Sequence, residues 1–386
     1  MKKSERTRVI GQEEVRRRLA ESLRARLAAH AYLFCGPSGI GKTAVTLEFA
    51  QLLLCDRDGL APCGACDQCL SFQSLQHPDL KVYFPLPPKK ASSVEDEERE
   101  FSETISKVVS NLSRDWYAAT RPSNAKEIRI KLVRAMLRSA ALKPYQAKRK
   151  VFVILDAETM NEESQNALLK ALEEPYPESY FLLVTDNELG LRPTIRSRCQ
   201  RVRMAPLAVD IIYEALRAQG APDGEAELAA RLSGGSFNHA RDLAGPDIEK
   251  VQENVLEFLR TTWKCNPLDL PKGMEALLET NSLPDYTGLE MLGLLLRDAA
   301  MLRTSATAAT QKRLAFGNRE DKVQAVMTAY PDANFEEAVH AVDQSVDYLT
   351  HGYTKEMILY ALAIRLYRAL GTLARTKPRV AATHHD

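Results

Sequence analysis

The stretch "AYLFCGPSGIGKTAV", residues 31–45, decides the fold. A short apolar, β-prone run leads straight into Gly36, Pro37, Ser38, Gly39, Ile40, Gly41, Lys42 and Thr43. These eight residues fit G-x-x-x-x-G-K-[ST], and a helical pattern follows them to Leu54. Strand, glycine-rich turn and helix in that order make a cradle for phosphate. Gly36, Gly39 and Gly41 let the backbone turn its N–H groups inward, and Lys42 brings a point charge for the β- and γ-phosphates. Thr43 offers a hydroxyl to Mg2+, and the start of the helix adds the positive end of its dipole. Because motif and context agree, residues 36–43 read as a nucleotide-triphosphate site and not as a chance glycine turn.

Two more runs extend the pattern. "VFVILD" (151–156) and "YFLLVT" (180–185) are short and apolar, as strands covered on both faces must be. The helix after Thr43 reads as amphipathic. After Asp156 comes "NEESQNALLKALEEP", where Asn161 is placed as an N-cap. Ala167, Leu168, Ala171 and Leu172 form its apolar stripe and Pro175 ends it. Strands alternating with helices over residues 1–207 predict a parallel α/β sheet. Asp156 is placed to hold magnesium through a water, although an aspartate ending a strand can also simply cap a helix. The residue after it is Ala157, where a glutamate would activate an attacking water. Glu158 follows one position later, and that offset is expected to turn its side chain elsewhere. The expectation is binding without fast turnover.

Cys55, Cys63, Cys66 and Cys69 crowd into fifteen residues, spaced by seven, two and two intervening positions in "CDRDGLAPCGACDQC". Two overlapping C-x-x-C turns beside a fourth cysteine suit tetrahedral Zn2+, with all four positions filled and none open for catalysis. A redox dithiol would explain two of these residues but not four.

Between 86 and 123 the pattern breaks. "PLPPKKASSVEDEERE" is rich in proline and charge and reads as a solvated insertion or mobile loop. From 208 onward strand signals vanish. A small helical unit is expected over 208–248, then helices over 249–375, and a disordered tail over 376–386. "GLEMLGLLLRDAAMLRT" and "YTKEMILYALAIRLYRALGTLAR" carry the strongest helical signals. The second places Ile358, Leu359, Leu362, Leu366 and Leu370 on one stripe, expected to serve a core or a subunit contact. With 386 residues, two or three domains are expected. Acidic and basic residues number 51 and 52, so the chain lacks the basic excess of a protein that grips nucleic acid alone. No apolar run nears the roughly 20 residues of a membrane span. "MKKSERTRVIGQEE" lacks the apolar core of an export signal, so the expected setting is cytoplasmic.

Several motifs together resemble a known family. "VIGQEEV" (9–15), "HAYLFCGPSGIGKT" (30–43), the four cysteines, "HPD" (77–79), "NALLKALEEP" (166–175) and "TIRSRC" (194–199) are similar to those of bacterial clamp-loader AAA+ subunits. The resemblance is dense over 9–80 and 125–245, weaker beyond, and absent from 86–123. It implies an α/β P-loop AAA+ domain with a zinc-binding module at 55–69, then a small helical lid and an all-α C-terminal collar domain. Val9 and Ile10 would lie near the adenine of ATP or ADP. Lys42 would meet the phosphates, Thr43 and Asp156 would serve magnesium, and Thr185 falls where the first sensor residue sits. Arg198 matches the arginine finger that inserts into a neighbouring subunit's site. Taken alone, it would be one arginine on a solvated face.

The departures from the family pattern also carry meaning. Ala157 replaces the glutamate of motor subunits, and "GSFN" puts Asn238 where they carry a second sensor arginine. Arg241 lies one turn further on. Losing both features while keeping the finger implies a stator that serves its neighbour's site. The partners implied are the gamma/tau and delta subunits, the β sliding clamp and, through the complex, primed DNA. Two rivals stay open. One is a gamma/tau-type ATPase motor, with Glu158 swinging in. The other is a zinc-stabilised nucleic-acid-binding module with a vestigial P-loop, for which the basic "KPYQAKRK" (143–150) is the best support.

Overall fold

The computed structural model describes residues 9–87, 94–122, 124–245, 247–264, 273–275, 277, 286–304, 314, 316, 320–350 and 353–371. Five parallel strands form one sheet in the order β2-β3-β4-β1-β5. They are β1 (Ala31–Cys35), β2 (Leu80–Tyr83), β3 (Lys150–Ile154), β4 (Ser179–Thr185) and β5 (Gln200–Arg203). The three central strands are the three apolar runs of the sequence. Registers such as Leu33↔Leu183 and Val153↔Leu182 align their side chains in layers, and Phe152 stacks on Phe181 at 5.2 Å. β2 and β5 lie at the edges and were not evident as strands. "LKVY" and "QRVR" are short and partly exposed, and an edge strand needs no continuous apolar run.

Helices cover the sheet. α1 (Glu13–Arg24) is tied to α2 (Lys42–Leu54) by a two-pronged Arg16–Glu48 ion pair at 2.6 and 2.7 Å. α2 is not amphipathic as expected: eleven of its thirteen residues are buried, Lys42 among them, because it is covered all round. α3 (Asp67–Phe72) follows the cysteines, α4 (Val94–Arg114) lies within the insertion, and α5 (Ile130–Ala140) and α6 (Glu162–Glu173) come after it. Asn161 does cap α6, its side chain accepting the Ser164 N–H at 2.9 Å, and Leu168, Ala171 and Leu172 are buried.

The insertion departs from expectation. Where composition suggested a loop, α4 runs for 21 residues and buries Val108 and Leu112. Residues 88–93, within the proline-rich stretch, lie outside the described residues.

The chain divides into two compact units. One is Met1–Ile212 with Gly235–Asn238, and the other is Tyr213–Gly234 with His239–Asp386. All described regular structure after β5 is helical. In the second unit, helix Thr287–Thr304 packs against Phe335–Thr350 and Glu320–Ala329, and Phe335–Thr350 packs against Lys355–Leu370. Ile358, Leu359, Leu362, Leu366 and Leu370 are all buried, as the stripe predicts. The opposite face of that last helix is also apolar, with Met357, Tyr360, Ile364 and Tyr367 exposed. The tail at 376–386 lies outside the described residues. Among the described residues, no helix is long and apolar enough to cross a membrane.

Candidate nucleotide site and metal centre

The parallel sheet brings three adjacent strand ends together, and each delivers a functional residue to the same edge. β1 runs into the glycine loop, β3 ends just before Asp156, and β4 ends just before Asp186. A crevice beyond the carboxyl ends of parallel strands is where α/β folds bind ligands. The cavity here has a volume of about 330 Å3 and is lined by Ser38, Gly39, Gly41, Lys42 and Thr43 from the loop. Asp156, Glu158, Asp186 and Asn238 line it too, together with Trp116 to Arg121. Gly41 adopts φ 93° immediately before α2, a left-handed turn that glycine takes without strain. Gly36, with φ 153°, lies so close to the Met204 carbonyl that a Cβ there would collide with it.

Lys42 is only 4% exposed, and its ammonium is already engaged. It pairs with Asp186 at 2.6 Å and donates to the Pro37 carbonyl. Asp156 also has a partner, accepting the Thr120 hydroxyl at 3.2 Å on Oδ2. Burial first, and then the charges of Glu158 and Asp186, push the Asp156 carboxyl above its ordinary value. Its backbone is left-handed (φ 50°, ψ 47°), which turns the chain sharply at the strand end. That turn explains a second departure from the sequence reading. Glu158 does not point away but lines the cavity, with Oε2 buried and without a partner.

Of the remaining sequence candidates, Val9 is buried and Ile10 donates its N–H to the Tyr117 hydroxyl at 2.9 Å. Pro37 and Ile40 complete the loop, Ile40 fully buried. Thr185 is buried at the end of β4, and its hydroxyl accepts the Asn187 N–H at 3.1 Å. Asp186, one residue later, faces the lysine, and no local motif in the sequence points to it. Arg198 is not among the residues lining this chain's own cavity. Its guanidinium pairs with Glu173 at 2.8 Å and donates to the Thr194 carbonyl at 3.0 Å, with its side chain 35% exposed. Tyr117 lies 107 residues from Ile10, in a segment without any local motif.

The four cysteines meet. Their Sγ atoms all lie within 4.8 Å of one another, and Cys55–Cys66 and Cys63–Cys69 are both 3.9 Å apart. Four sulfurs at the Zn–S bond length of ~2.3 Å in a tetrahedron stand roughly 3.8 Å apart, so the donor set fits zinc. Backbone N–H groups of Cys66 and Cys69 point at the sulfurs of Cys63 and Cys66, at 3.4 and 3.5 Å, which favours thiolates. Backbone N–H groups of Ala65 and Cys66 bring the Cys63 thiol down to about 6, whereas burial raises Cys55 and Cys69.

The "HPD" residues anchor this module. The Asp79 carboxylate accepts the N–H groups of Tyr145, Gln146 and Ala147 at 2.6, 2.7 and 2.8 Å. Burial alone would raise its pKa, but those donors outweigh it and hold the carboxyl below the usual carboxylate range. His77 accepts the Asp79 N–H on Nδ1, so Nε2 carries the proton that reaches Gln68 on α3 at 2.7 Å.

With this geometry in place, the chain can be set beside known proteins. Residues 11–208, just over half of it, match the profile of the family described as DNA polymerase III, delta subunit. The DNA polymerase III subunit delta' of Haemophilus influenzae is 30% identical over 260 residues, which cover 65% of this chain and 66% of that protein. That of Pseudomonas aeruginosa is 32% identical over 240 residues, covering 61% and 62%. The tau subunit of Escherichia coli is 29% identical over 285 residues, covering 71% of this chain and 38% of that protein. The matched stretch therefore spans less than two thirds of these relatives' own lengths. A gamma subunit-related protein from Thermotoga maritima superposes at a TM-score of 0.42 with 14% identity, covering 92% of this chain and all of the other.

Proposed function

Because this chain belongs to the DNA polymerase III delta-subunit family, we propose that it works as a delta-prime subunit of the bacterial clamp loader. In that role it is a stator in the cytoplasm. It joins gamma/tau and delta, and helps an ATP-driven complex open the β sliding clamp and place it on primed DNA. The observation that carries the stator reading is the state of Lys42: buried, ion-paired to Asp186, and followed along the site by Ala157 where a water-activating glutamate would stand. A lysine neutralised within its own chain can hold a triphosphate only by giving up that pair. Ala157 puts no proton acceptor at the position directly after Asp156, where motor subunits carry theirs.

Val9, Ile10, the loop Gly36–Thr43 and Thr185 form the nucleotide side of this reading, with Thr43 and Asp156 serving Mg2+. Cys55, Cys63, Cys66 and Cys69 hold a structural Zn2+, which fixes a loop that has no core of its own. The residues after 208 act as lid and collar. The exposed stripe Met357, Tyr360, Ile364 and Tyr367 supports a subunit contact, because a helix apolar on both faces needs two partners. Arg198 is exposed enough to leave Glu173 and reach a neighbour's γ-phosphate. In the reconstituted complex, Arg198→Ala is expected to cut ATPase by about 10^3-fold or more, the scale of a lost arginine finger, with assembly intact by size exclusion. An ATPase unchanged by that substitution excludes the finger role.

One observation favours the second reading, a gamma/tau-type motor. Glu158 lines the cavity with an unpartnered carboxylate oxygen and could orient an attacking water. Glu158→Gln separates the two, since it silences a motor and leaves a stator as it was.

A further inference from the structure

The insertion supplies six consecutive residues, Trp116 to Arg121, to the wall of the P-loop cavity. Two of them occupy groups that the proposed nucleotide reading gives to ATP and its Mg2+. The buried Tyr117 takes the Ile10 N–H on its hydroxyl at 2.9 Å. Its ring lies edge-on to Phe237, with centroids 5.0 Å apart. It also packs on the loop itself, because a Cβ added at Gly41 would meet the Tyr117 hydroxyl at 3.0 Å. The segment is pinned in place, since Asp115 accepts the Tyr117 N–H at 2.8 Å and Asn238 donates to the Tyr117 carbonyl at 3.1 Å. Three residues on, Thr120 holds Asp156.

We infer that Tyr117 stands in for the nucleobase, so that this site selects a magnesium-bound polyphosphate and is indifferent to the base attached to it. The inference rests on reading residues 36–43 as a nucleotide site. A phenol offers what a purine offers at such a place: a flat apolar ring with one polar edge that accepts a backbone N–H. The remaining cavity of about 330 Å3 is at the lower end of small-molecule sites, enough for a phosphate chain. Its lining carries Lys42 and Arg121 against Asp156, Glu158 and Asp186. With Lys42 and Asp186 neutralising each other, Asp156 and Glu158 outnumber Arg121, which repels a bare polyphosphate and accepts one that brings its own Mg2+. A whole nucleotide must displace Tyr117 to seat its base, and it then loses what Tyr117 had gained.

The test is equilibrium binding of MgATP, MgGTP and Mg-tripolyphosphate to the full-length chain. Wild type is expected to bind all three within about threefold of one another, and Tyr117→Ala to tighten ATP and GTP, but not tripolyphosphate, by roughly tenfold. A wild type that already prefers ATP over tripolyphosphate by more than about tenfold overturns the inference. A folded Tyr117→Ala with unchanged ratios also overturns it. Amide exchange on wild type does not depend on the variant folding. Exchange at 116–121 is expected to rise with ATP but not with tripolyphosphate, and a segment equally protected with saturating ATP contradicts the displacement. Lys42→Ala should weaken all three ligands alike. If it does not, the loop is no phosphate site, and the proposed function fails independently of Tyr117.

Discussion

The cysteine cluster and the P-loop are built in opposite ways. In the first, four sulfur atoms converge at the spacing of a metal tetrahedron, and backbone N–H groups are aimed at the sulfurs. Those features point to a guest, whose positive charge would offset the burial that raises Cys55 and Cys69. In the second, the groups that would receive a guest already have partners within the chain: Lys42 has Asp186, Asp156 has Thr120, and the Ile10 N–H has Tyr117. A site whose sulfurs hold one another only through long contacts of 3.9 Å gives up little to its ligand. A site that satisfies itself must first give something up, and its ligand gains only the difference. A matching motif therefore says less about affinity than the partners its side chains already hold.

The largest effect expected from this contrast is on the metal side. Native mass spectrometry should find one zinc per chain, lost in Cys69→Ser. Because a structural zinc contributes on the order of 10 kcal/mol, chelation should open residues 55–72 to protease. A chain that purifies without zinc and resists protease there would remove one half of the comparison.

Next in size is the anchor of that module. Asp79→Ala strands three N–H donors and is expected to cost about 3–5 kcal/mol in denaturant unfolding. The pH sign follows from its depressed carboxyl, whose ordinary value is 3.8. Its contribution is fully present above that value and is lost as pH falls through the lower folded value. Wild type should therefore lose stability more steeply on acidification than Asp79→Asn. Equal acid profiles would show that Asp79 is not the anchor.

On the nucleotide side the effects are smaller and of opposite sign. Asp186→Ala releases Lys42 and is expected to tighten MgATP by about tenfold in calorimetry. A loss of affinity would mean that Asp186 serves the ligand and does not compete with it. Asp156→Asn completes the series. The Asp156 carboxyl is raised, so its stabilising share exists at low pH and is lost as pH rises through the folded value. At neutral pH and without magnesium, the substitution should raise Tm slightly, by less than about 1 kcal/mol in equivalent stability. A drop in Tm would deny that burial and the charges of Glu158 and Asp186 penalise the ionised carboxylate.

What could be read in the sequence follows the same division. β1, β3 and β4 are buried on both faces, and that burial writes a continuous apolar run into the chain. β2 and β5 lie at sheet edges, where "LKVY" and "QRVR" need no such run. The P-loop and the cysteines are legible because their chemistry needs fixed residues at fixed spacing. α4 was hidden by its acidic start, although Phe101, Ile105, Val108 and Leu112 repeat at helical intervals and could have revealed it. Tyr117 and Asp186 had no comparable signal. Their roles come from the parallel sheet and the insertion bringing distant residues to one edge, and no local spacing records that. Glu158 lines the cavity against expectation because the left-handed backbone at Asp156 reverses the direction that simple residue counting assumes.

With Lys42 paired to Asp186 and Ala157 after Asp156, this chain is expected to hold a triphosphate without cutting it. The most direct measurement is phosphate release by the isolated full-length chain in saturating MgATP, alongside Lys42→Ala. The expected rate is no greater than about 10^-3 s^-1, near that of a P-loop without its finger, and the same for both proteins. A rate of roughly 1 s^-1 or more that vanishes in Lys42→Ala would contradict it, and would make this chain a motor.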